Sequence, residues 1–404
     1  VLETKSVDVS EEDVIQAICS FRGWITQIPP KYSALKVNGK PLYKYAREGV
    51  EVEIKSREIY VADIQPLEVN PAENRVRFRV TCSKGTYIRT ICDDIGKKLG
   101  CGGTMTALQR TQSGCFRVED ARTLPEILEM TDEELAHLLG GQPNTGVANT
   151  FGFGNMPDYG IPGVMTADGP AGLRIEPKCG VKTTAWPCAT LLACTWNTEF
   201  IEEIGATGGA ELRENNLGVW LAPAMNIHRN PLCGRNFEYF SEDPLLAGKC
   251  CAADVRGIQS QKIAASVKHF ACNNRESNRF ECDSRVSERA LREIYLRGFE
   301  ICVREADPWT IMSSYNLING SHTSVSYELL TELLRNEWGF KGAVTTDWGV
   351  HSSHSDEVLA GNDIKMGDGE PEELKAAFES GKITRADLEV SVKRILELTL
   401  KLAQ

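Results

Sequence analysis

The chain has 404 residues, of which 42% are hydrophobic and 25% charged, values that are typical of a soluble globular protein. This length allows two or three domains, or one large barrel with a smaller domain. The net charge of −11 is unevenly placed, because residues 1–130 hold 19 Lys+Arg against 18 Asp+Glu and residues 131–404 hold 26 against 38. The acidic part disfavours a nucleic-acid ligand and suits a neutral substrate.

The fourteen cysteines are scattered and form no C-x-x-C pair. Zinc-ligand spacings are absent, and His351 and His354 have H-x-x-H spacing without an evident third ligand, so we expect no metal and no cofactor. Scattered cysteines indicate free thiols in a reducing compartment, which predicts a cytoplasmic protein. No run approaches ~18 apolar residues and the polar N-terminus does not resemble a signal peptide, so no membrane span is expected.

The first part of the chain predicts a small, incomplete α+β domain. Its elements are a capped helix over 10–20, alternating strands over 51–69 and 75–83, and a helix over 86–99 closed by Gly100. A further helical segment covers 119–140, and the sequence changes character inside it, between Leu124 and Asp132. We therefore divide the chain into a domain at 1–124, a junction at 125–131 and a domain at 132–404.

The second part alternates short apolar runs with helices. The runs end in polar or small residues, as in LGVWLAPAMNIHR, IAASVKHFACNN and GAVTTDWG. A helix over 287–303 carries an apolar stripe that begins at Leu291 and Ile294, and a last helix opens with Thr384 and Asp387 as a cap. Strands alternating with helices predict a parallel sheet, and about 270 residues fit an α/β fold of the (β/α)8-like TIM barrel type.

Polar residues follow the apolar runs and would converge, because parallel strands end on one face of a barrel. They are Asp168, Asn226, His228, Lys268, His269, Tyr315 and Asp347. Asp347 ends a buried strand, where a carboxylate is costly unless it is paired or functional. Three alternatives remain open: Asp347 as a strand-end cap, Lys268–His269 as a satisfied buried pair, and Asn226 and His228 as loop-shaping residues.

A pocket that combines carboxylates, basic side chains and Trp residues suits a neutral polyol. Charged groups hydrogen-bond hydroxyls, and aromatic rings stack on a sugar face. A retaining glycosidase needs a carboxylate nucleophile and a second, acid/base carboxyl roughly 5–5.5 Å away.

Residues 131–404 resemble the barrel domain of glycoside hydrolase family 3. The matching segments are MTADGPAGLR (165–174), NIHRNPLCGRNFEYFSEDPLLAG (226–248), SVKHFACNN (266–274), SERALREIYLRGFE (287–300), MSSYNLING (312–320), EWGF (337–340) and VTTDWG (344–349). The resemblance implies a retaining β-glucosidase that releases terminal, non-reducing β-D-glucosyl residues from a β-glucoside or oligosaccharide. Relatives with similar motifs hydrolyse β-xylosides and α-arabinosides, so the preferred sugar stays open.

The resemblance also implies residue roles by position. Asp347 would be the nucleophile that forms a covalent glycosyl-enzyme. The residues implied to bind the substrate are Asp168, Arg235, Lys268, His269, Met312, Tyr315 and Trp348. Among them, Asp168 would hold the outer hydroxyls of the terminal sugar, and Tyr315 would lie against the nucleophile.

The acid/base residue is not assigned. One branch of the family uses a His–Asp pair in a KHFPGHG-type motif, whereas this chain reads KHFACNNRE. The β-glucosidase branch takes its acid/base Glu from a second domain, which in some members precedes the barrel, where this chain carries an unrelated segment. Glu276 or Glu281 could lie near the predicted barrel mouth, but neither is assigned this role. Because general-acid assistance contributes roughly 10²–10⁴-fold, we expect impaired turnover of natural glucosides.

Three segments of the first part interleave basic with aromatic residues or set Tyr beside Arg: QIPPKYSALKVNGKPLYKYAREGVEVE, CSKGTYIRTICDDIG and MTALQRTQSGCF. They resemble the later half of a TruB-type tRNA pseudouridine synthase. By position, Tyr87 and Arg89 would be active-site residues and Leu108 would line the uridine pocket, whereas the nucleophilic Asp of that family would lie upstream. We expect no pseudouridine formation and at most weak RNA binding by 1–124.

Three functions therefore stay in view: a glycoside hydrolase, an RNA-binding fragment derived from a pseudouridine synthase, and a catalytically inactive fusion of two truncated parts. The first is favoured because the larger part holds its predicted nucleophile. The sequence predicts no oligomeric state.

Overall fold

The computed structural model describes residues 7, 9–30, 33, 35–37, 40–47, 49–50, 52–70, 73–83, 85–113, 116–117, 129–143, 150–367 and 369–403. The chain divides into two compact units, Val1–Arg110 and Thr111–Gln404. Leu124, the predicted end of the first domain, lies outside the described residues.

The first unit contains a three-stranded antiparallel sheet with two helices packed on it. Its elements are α1 (Glu11–Cys19), β1 (Gly23–Gln27), β2 (Lys36–Val37), β3 (Lys40–Pro41), α2 (Leu42–Arg47), β4 (Arg57–Asn70), β5 (Arg75–Cys82) and α3 (Ile88–Lys98). The sheet order is β1-β4-β5, and the alternation of β4 turns Ile59 and Val61 inward, against Ile18 of α1 and Ile91 of α3. The predicted strands and helices of this part are confirmed, with shifted ends.

The start of α1 follows the predicted cap. The Ser10 hydroxyl accepts a hydrogen bond from the backbone N–H of Asp13 at 3.1 Å, and the Asp13 carboxylate accepts from the backbone N–H of Ser10 at 3.2 Å. This reciprocal pair satisfies two N–H groups that the first helical turn otherwise leaves without partners.

The second unit contains one five-stranded parallel sheet and several smaller sheets of two or three short strands. Its strands are β6 (Gln112–Ser113), β7 (Phe116–Arg117), β8 (Phe153–Met156), β9 (Ile161–Val164), β10 (Thr166–Ala167), β11 (Val219–Trp220), β12 (Ala264–Phe270), β13 (Asp283–Ser284), β14 (Thr310–Ser313), β15 (Leu317–Ile318), β16 (Ser321–His322) and β17 (Ala343–Thr345). The parallel order is β10-β11-β12-β14-β17. Single parallel bridges, Thr345 to Ile364 and Lys365 to Gly140, continue the sheet around the barrel. The predicted barrel-like α/β fold is confirmed.

Helices cover this sheet. They are α4 (Asp132–Leu138), α5 (Ala189–Ala193), α6 (Thr198–Glu214), α7 (Pro244–Ser260), α8 (Glu288–Ala290), α9 (Arg297–Ala306), α10 (His354–Ala360), α11 (Pro371–Glu379) and α12 (Arg385–Leu402), with π-helical turns at Leu291–Tyr295 and Glu328–Glu337. Glycines let α7 lie close to its neighbours, since a Cβ on Gly257 would sit 2.1 Å from the carbonyl oxygen of Glu202, and one on Gly248 3.0 Å from that of Gly298. No helix in the described part is both long and apolar enough to cross a membrane.

The predicted helix over 287–303 is not continuous. A π-helical turn at Leu291–Tyr295 separates α8 from α9. Such a turn departs from the α-helical repeat on which the predicted stripe is based. Ile294, predicted to lie on the buried stripe, lies within this turn and is 40% exposed, whereas Phe299, after the turn, is buried as predicted.

Helix α4 packs within the second unit. Leu135 and Leu138 are buried in the same hydrophobic cluster as Ile395 of α12. The Asp132 carboxylate accepts a hydrogen bond from the Arg385 guanidinium at 2.7 Å. The C-terminal end of the predicted helical segment 119–140 thus belongs to the barrel, while 118–128 lies outside the described residues.

A buried ion cluster joins the last barrel strand to the helices behind it. Asp363 is 0% exposed. Its Oδ2 accepts hydrogen bonds from Arg335 at 2.7 Å and from the backbone N–H of Val344 at 2.8 Å, and its Oδ1 accepts from Arg394 at 2.8 Å and Ser391 at 3.0 Å. A single carboxylate thereby holds three elements of the chain together.

Candidate active site

The predicted site residues lie at the strand ends of the parallel sheet. Asp168 directly follows β10, and Lys268 and His269 lie near the end of β12. Tyr315 and Asp347 each come two residues after their strands, β14 and β17. Since the carboxyl ends of parallel strands lie on one face, these side chains share that face.

Asp347 is a buried carboxylate with one unused oxygen. The residue is 7% exposed, and its Oδ1 accepts a hydrogen bond from the backbone N–H of Trp348 at 2.8 Å. Its Oδ2 has no hydrogen-bond partner among the described residues and lies 3.7 Å from Nε2 of His269. Burial raises the pKa of Asp347, and the positive charges of Arg235 and Lys268 oppose that rise. A buried carboxylate oxygen without a geometric hydrogen-bond partner among the described residues is uncommon, because buried polar atoms are normally satisfied.

Asp168 and Lys268 form an ion pair at these strand ends. Lys268 is 2% exposed and donates to Oδ1 of Asp168 at 2.6 Å, while Arg174 donates to Oδ2. Burial alone would raise the pKa of Asp168, but Lys268, Arg174 and the N–H of Gly169 lower it to about 2. Asp168 is therefore ionised at neutral pH.

This pair predicts a pH-dependent contribution to stability. The pKa of Asp168 falls from 3.8 to about 2 on folding, so its contribution of about 2 kcal/mol is present above pH ~4 and is lost as the pH falls toward 2. Asp168→Asn is therefore expected to destabilise the second unit at pH 7, and the difference from the native chain should shrink between pH 4 and 2. Urea unfolding at several pH values measures this, and a difference that stays constant down to pH 2 would contradict it.

Arg235 is oriented by a glutamate that sequence reasoning missed. Its Nε donates to the buried carboxylate of Glu238, and Glu276 lies 4.0 Å from the same nitrogen. No side chain in the described part of the chain accepts a hydrogen bond from the two terminal nitrogens of Arg235, which leaves them available to a ligand. The sequence feature that could have identified Glu238 is its i, i+3 spacing from Arg235, because residues three apart in a helical turn lie on the same side.

His269 is held as a neutral imidazole. Burial, together with the charges of Arg235 and Lys268, lowers its pKa well below 6.5. The Tyr239 hydroxyl lies 3.2 Å from its Nδ1. Asn226 exchanges two 2.9 Å hydrogen bonds with the backbone of His269, so this asparagine shapes the strand.

The remaining predicted residues differ in their surroundings. Nε2 of His228 lies 2.9 Å from the carbonyl oxygen of Asn236, which anchors a loop. Met312 is 1% exposed and packs in a hydrophobic cluster behind the strand ends. Trp348 is half-buried, and its indole N–H has no partner among the described residues. The Tyr315 hydroxyl donates to the carbonyl oxygen of Trp348 at 2.7 Å.

The residues of the predicted uridine pocket lie in the first unit. Tyr87 precedes α3, exchanges two hydrogen bonds with the side chain of Gln27, and has the Arg57 guanidinium 4.8 Å above its ring. Arg89 is exposed, and Leu108 is 61% exposed. Within the described ranges, no hydrogen bond, ion pair or ring contact joins Tyr87, Arg89 and Leu108.

The strand ends of the parallel sheet thus bring the carboxylate of Asp347, the Asp168–Lys268 pair and His269 to one face, an arrangement whose charged and polar groups suit a neutral polyol. Residues 155–398 match the glycosyl hydrolase family 3 N terminal domain. The chain belongs to glycosyl hydrolase family 3. Residues 1–88 and 89–140 match the N terminal domain of the TruB family pseudouridylate synthases and the tRNA pseudouridylate synthase B C-terminal domain.

Similar proteins include beta-glucosidase A of Butyrivibrio fibrisolvens, 59% identical over 65% of this chain and 32% of that protein. An exo-alpha-(1->6)-L-arabinopyranosidase of Bifidobacterium breve is 40% identical over 69% of this chain and 37% of its own length. The structure of beta-glucosidase 3B from Thermotoga neapolitana in complex with glucose is similar with a TM-score of 0.66 and 44% identity, over 69% of this chain and 42% of that one. The chain thus spans about a third of the length of the curated relatives that it matches.

Proposed function

We propose that the second unit is a retaining β-glucosidase domain in which Asp347 attacks the anomeric carbon and forms a covalent glycosyl-enzyme. The observation that carries this proposal is the unused Oδ2 of Asp347, which is buried beside basic side chains at a barrel strand end. A retaining mechanism needs such a carboxylate as nucleophile. The names of the similar proteins support a β-glucoside as substrate.

The surrounding residues would bind the sugar and hold the nucleophile. Asp168 and Lys268 present charged acceptors and donors to hydroxyls, and the terminal nitrogens of Arg235 add further donors. The positive charges of Lys268 and Arg235 favour the ionised nucleophile. Neutral His269 adds no competing charge next to Asp347 and cannot trap it in an ion pair.

The site contains a proposed nucleophile but no assigned general acid. The two carboxylates around Arg235, those of Glu238 and Glu276, are both engaged with arginine side chains, and Glu276 also accepts from Arg279 at 3.0 Å. We assign neither as the general acid. With no general acid assigned among these residues, substrates whose leaving groups depart without a proton should react fastest.

A comparison of two substrates tests this proposal. Release of dinitrophenol from 2,4-dinitrophenyl β-D-glucoside is expected to exceed hydrolysis of cellobiose by on the order of 10²–10⁴-fold, because only the second reaction needs a general acid. Equal, robust turnover of both would refute the idea. Glu276→Gln serves as a matched variant: it should leave the ratio of the two rates unchanged, and a selective loss of cellobiose hydrolysis would identify Glu276 as the acid.

RNA binding by residues 1–124 is the second candidate function. Trp24 and Tyr60 are 71% and 41% exposed, and their rings stand 5.2 Å apart on neighbouring strands, with Arg77 and Arg79 exposed on β5. Exposed aromatic rings can stack bases, and arginines farther along the same sheet, opposite Gln65 and Glu68, can meet phosphates. Binding of a single-stranded RNA should weaken with rising salt and about 10-fold on Trp24→Ala. An RNA affinity that stays the same at higher salt and in Trp24→Ala would contradict this candidate function.

The free cysteine side chains agree with the predicted cytoplasmic location. Every cysteine in the described part of the chain is free. Free thiols persist in reducing compartments.

A further inference from the structure

The loop that follows the proposed nucleophile is held by side chains from beyond the loop. It covers residues 348–353 and joins Asp347 to α10, and we call it the nucleophile loop. Near its end, the hydroxyl of Ser352 donates a hydrogen bond to Oε1 of Glu357 at 2.6 Å. The carbonyl oxygen of the same serine accepts a hydrogen bond from Nζ of Lys365. Two side chains thus hold one residue of the loop through both its side chain and its backbone.

Glu357 and Lys365 also form a buried ion pair with each other. They are 0% and 5% exposed, and Nζ lies 3.2 Å from Oε1. The carboxylate of Glu370, an exposed residue, lies 3.5 Å from the same Nζ. A buried ion pair adds little net stability, because the cost of taking both charges out of water offsets their attraction. Stability therefore does not account for the pair, whereas apolar side chains could not make its hydrogen bonds to Ser352.

The chain on both sides of Asp347 is tied to one stretch of backbone, residues 364–366. On one side, Thr346 makes two hydrogen bonds with this stretch, in which its N–H donates at 2.9 Å and its hydroxyl accepts at 2.8 Å. On the other side, Ser352 is held by Lys365, which belongs to the same stretch. Asp347 therefore lies between two points that are fixed to a common support.

We propose that Glu357 and Lys365 are positioning residues, which set the place of the nucleophilic carboxylate through the nucleophile loop. This inference rests on the proposed glucosidase function. Within the described ranges, no hydrogen bond or ion pair joins either side chain to Asp347, so their effect must pass along the loop. A displacement of ~1 Å in a reacting group can lower a rate by about 10²-fold. Loss of the pair should therefore slow attack on the anomeric carbon without weakening the binding of the sugar.

A trapping reagent separates the rate of attack from the binding of the sugar. With 2,4-dinitrophenyl 2-deoxy-2-fluoro-β-D-glucoside, the bond from Oδ2 of Asp347 to the anomeric carbon forms while the bond to the leaving group breaks. Dinitrophenolate departs with the electron pair, so the step needs no proton donor. Mass spectrometry of the intact chain gives the limiting labelling rate and the reagent concentration at half that rate, and peptide mapping gives the labelled residue.

The double variant Glu357→Met/Lys365→Met removes both charges and keeps two long side chains. The limiting labelling rate should fall about 10²-fold. The half-maximal concentration and the thermal midpoint should stay close to the native values, because apolar residues of similar volume are tolerated in place of a buried ion pair. Lys249→Met/Glu305→Met is the matched control, since this ion pair joins α7 to α9 and its side chains are 46% and 39% exposed. It should alter none of the three values.

Ser352→Ala is a second variant that leaves the buried pair in place. It removes the hydroxyl, which bonds to Glu357 and lies 2.7 Å from that of Ser324, but keeps the carbonyl oxygen that accepts from Lys365. The limiting rate should fall by a smaller factor, about 10-fold, with no change in the half-maximal concentration. Combined with the double variant, its effect should be less than additive, because both changes act on the same loop contact.

The outcomes that overturn the inference are distinct. A native limiting rate in the double variant would do so whatever happens to its thermal midpoint, because the pair would then be purely structural. A raised half-maximal concentration with a native limiting rate would place the pair in sugar binding instead. If the double variant folds poorly or not at all, Ser352→Ala decides, and a native rate in that variant overturns the inference. Failure of the reagent to label Asp347 in the native chain would overturn the proposed function itself.

Discussion

Asp347→Gly is expected to lower dinitrophenol release from 2,4-dinitrophenyl β-D-glucoside by on the order of 10⁴-fold or more. Removal of a nucleophile that acts together with its pocket typically has an effect of this size. The carboxylate is the group that would bond to the anomeric carbon, and its Oδ2 is the buried oxygen without a partner among the described residues. The rate of dinitrophenol release under saturating substrate measures the loss.

Azide provides the chemical check on Asp347→Gly. The small anion can occupy the space vacated by the carboxylate and attack from the same side, so the rescued product should be α-D-glucosyl azide. Asp356→Gly, which removes an exposed carboxylate paired with Lys382, should keep the native rate and gain nothing from azide. Near-native activity of Asp347→Gly, or a β-configured azide product, would rule out the nucleophile assignment.

Asp363→Ala is expected to destabilise the barrel unit by about 3–5 kcal/mol. Removing one partner of a buried ion cluster leaves the other charges uncompensated. Here two guanidinium groups, those of Arg335 and Arg394, would lose their shared carboxylate, and the backbone N–H of Val344 would lose its side-chain acceptor. The thermal midpoint of the unit should fall by roughly 10 °C, which differential scanning calorimetry can follow.

The matched control for Asp363 is a surface pair. Asp356 lies 2.8 Å from Lys382, with the two side chains 49% and 42% exposed. Asp356→Ala should change the free energy of unfolding by less than about 1 kcal/mol, because exposed ion pairs contribute little. If both substitutions had the same small effect, the buried cluster would not be a main support of the barrel.

Much of the candidate site can be predicted from the sequence, because polar residues follow the apolar runs that form the strands. The runs before Asp168, Lys268 and Asp347 are apolar, so a parallel sheet with polar residues at its carboxyl edge was predictable. Hydrophobic periodicity and motif spacing are local properties of the sequence. They predict the barrel-like fold and α1 with its cap. The motif at 226–248 likewise placed Arg235 near the other polar residues through family resemblance.

Other features depend on contacts between distant segments. Phe280 stacks against Tyr315 and His351, which are 35 and 71 positions away. No periodicity links these residues, because loops, rather than repeats, bring them together. The π-helical turn at Leu291–Tyr295 also escaped prediction, since a helical stripe does not reveal one added residue in a turn.

The amino-acid sequence alone determined the alternation of strands and helices, the polar strand ends, and the change of character between Leu124 and Asp132. These rest on local hydrophobic period and motif spacing, which the chain carries without folding. Only the tertiary structure decided that Glu238 orients Arg235, that Oδ2 of Asp347 has no hydrogen-bond partner in the described part of the chain, and that Asp363 joins two arginines. Burial and electrostatic pairing belong to the packed molecule, because they arise where segments far apart in sequence exclude water together.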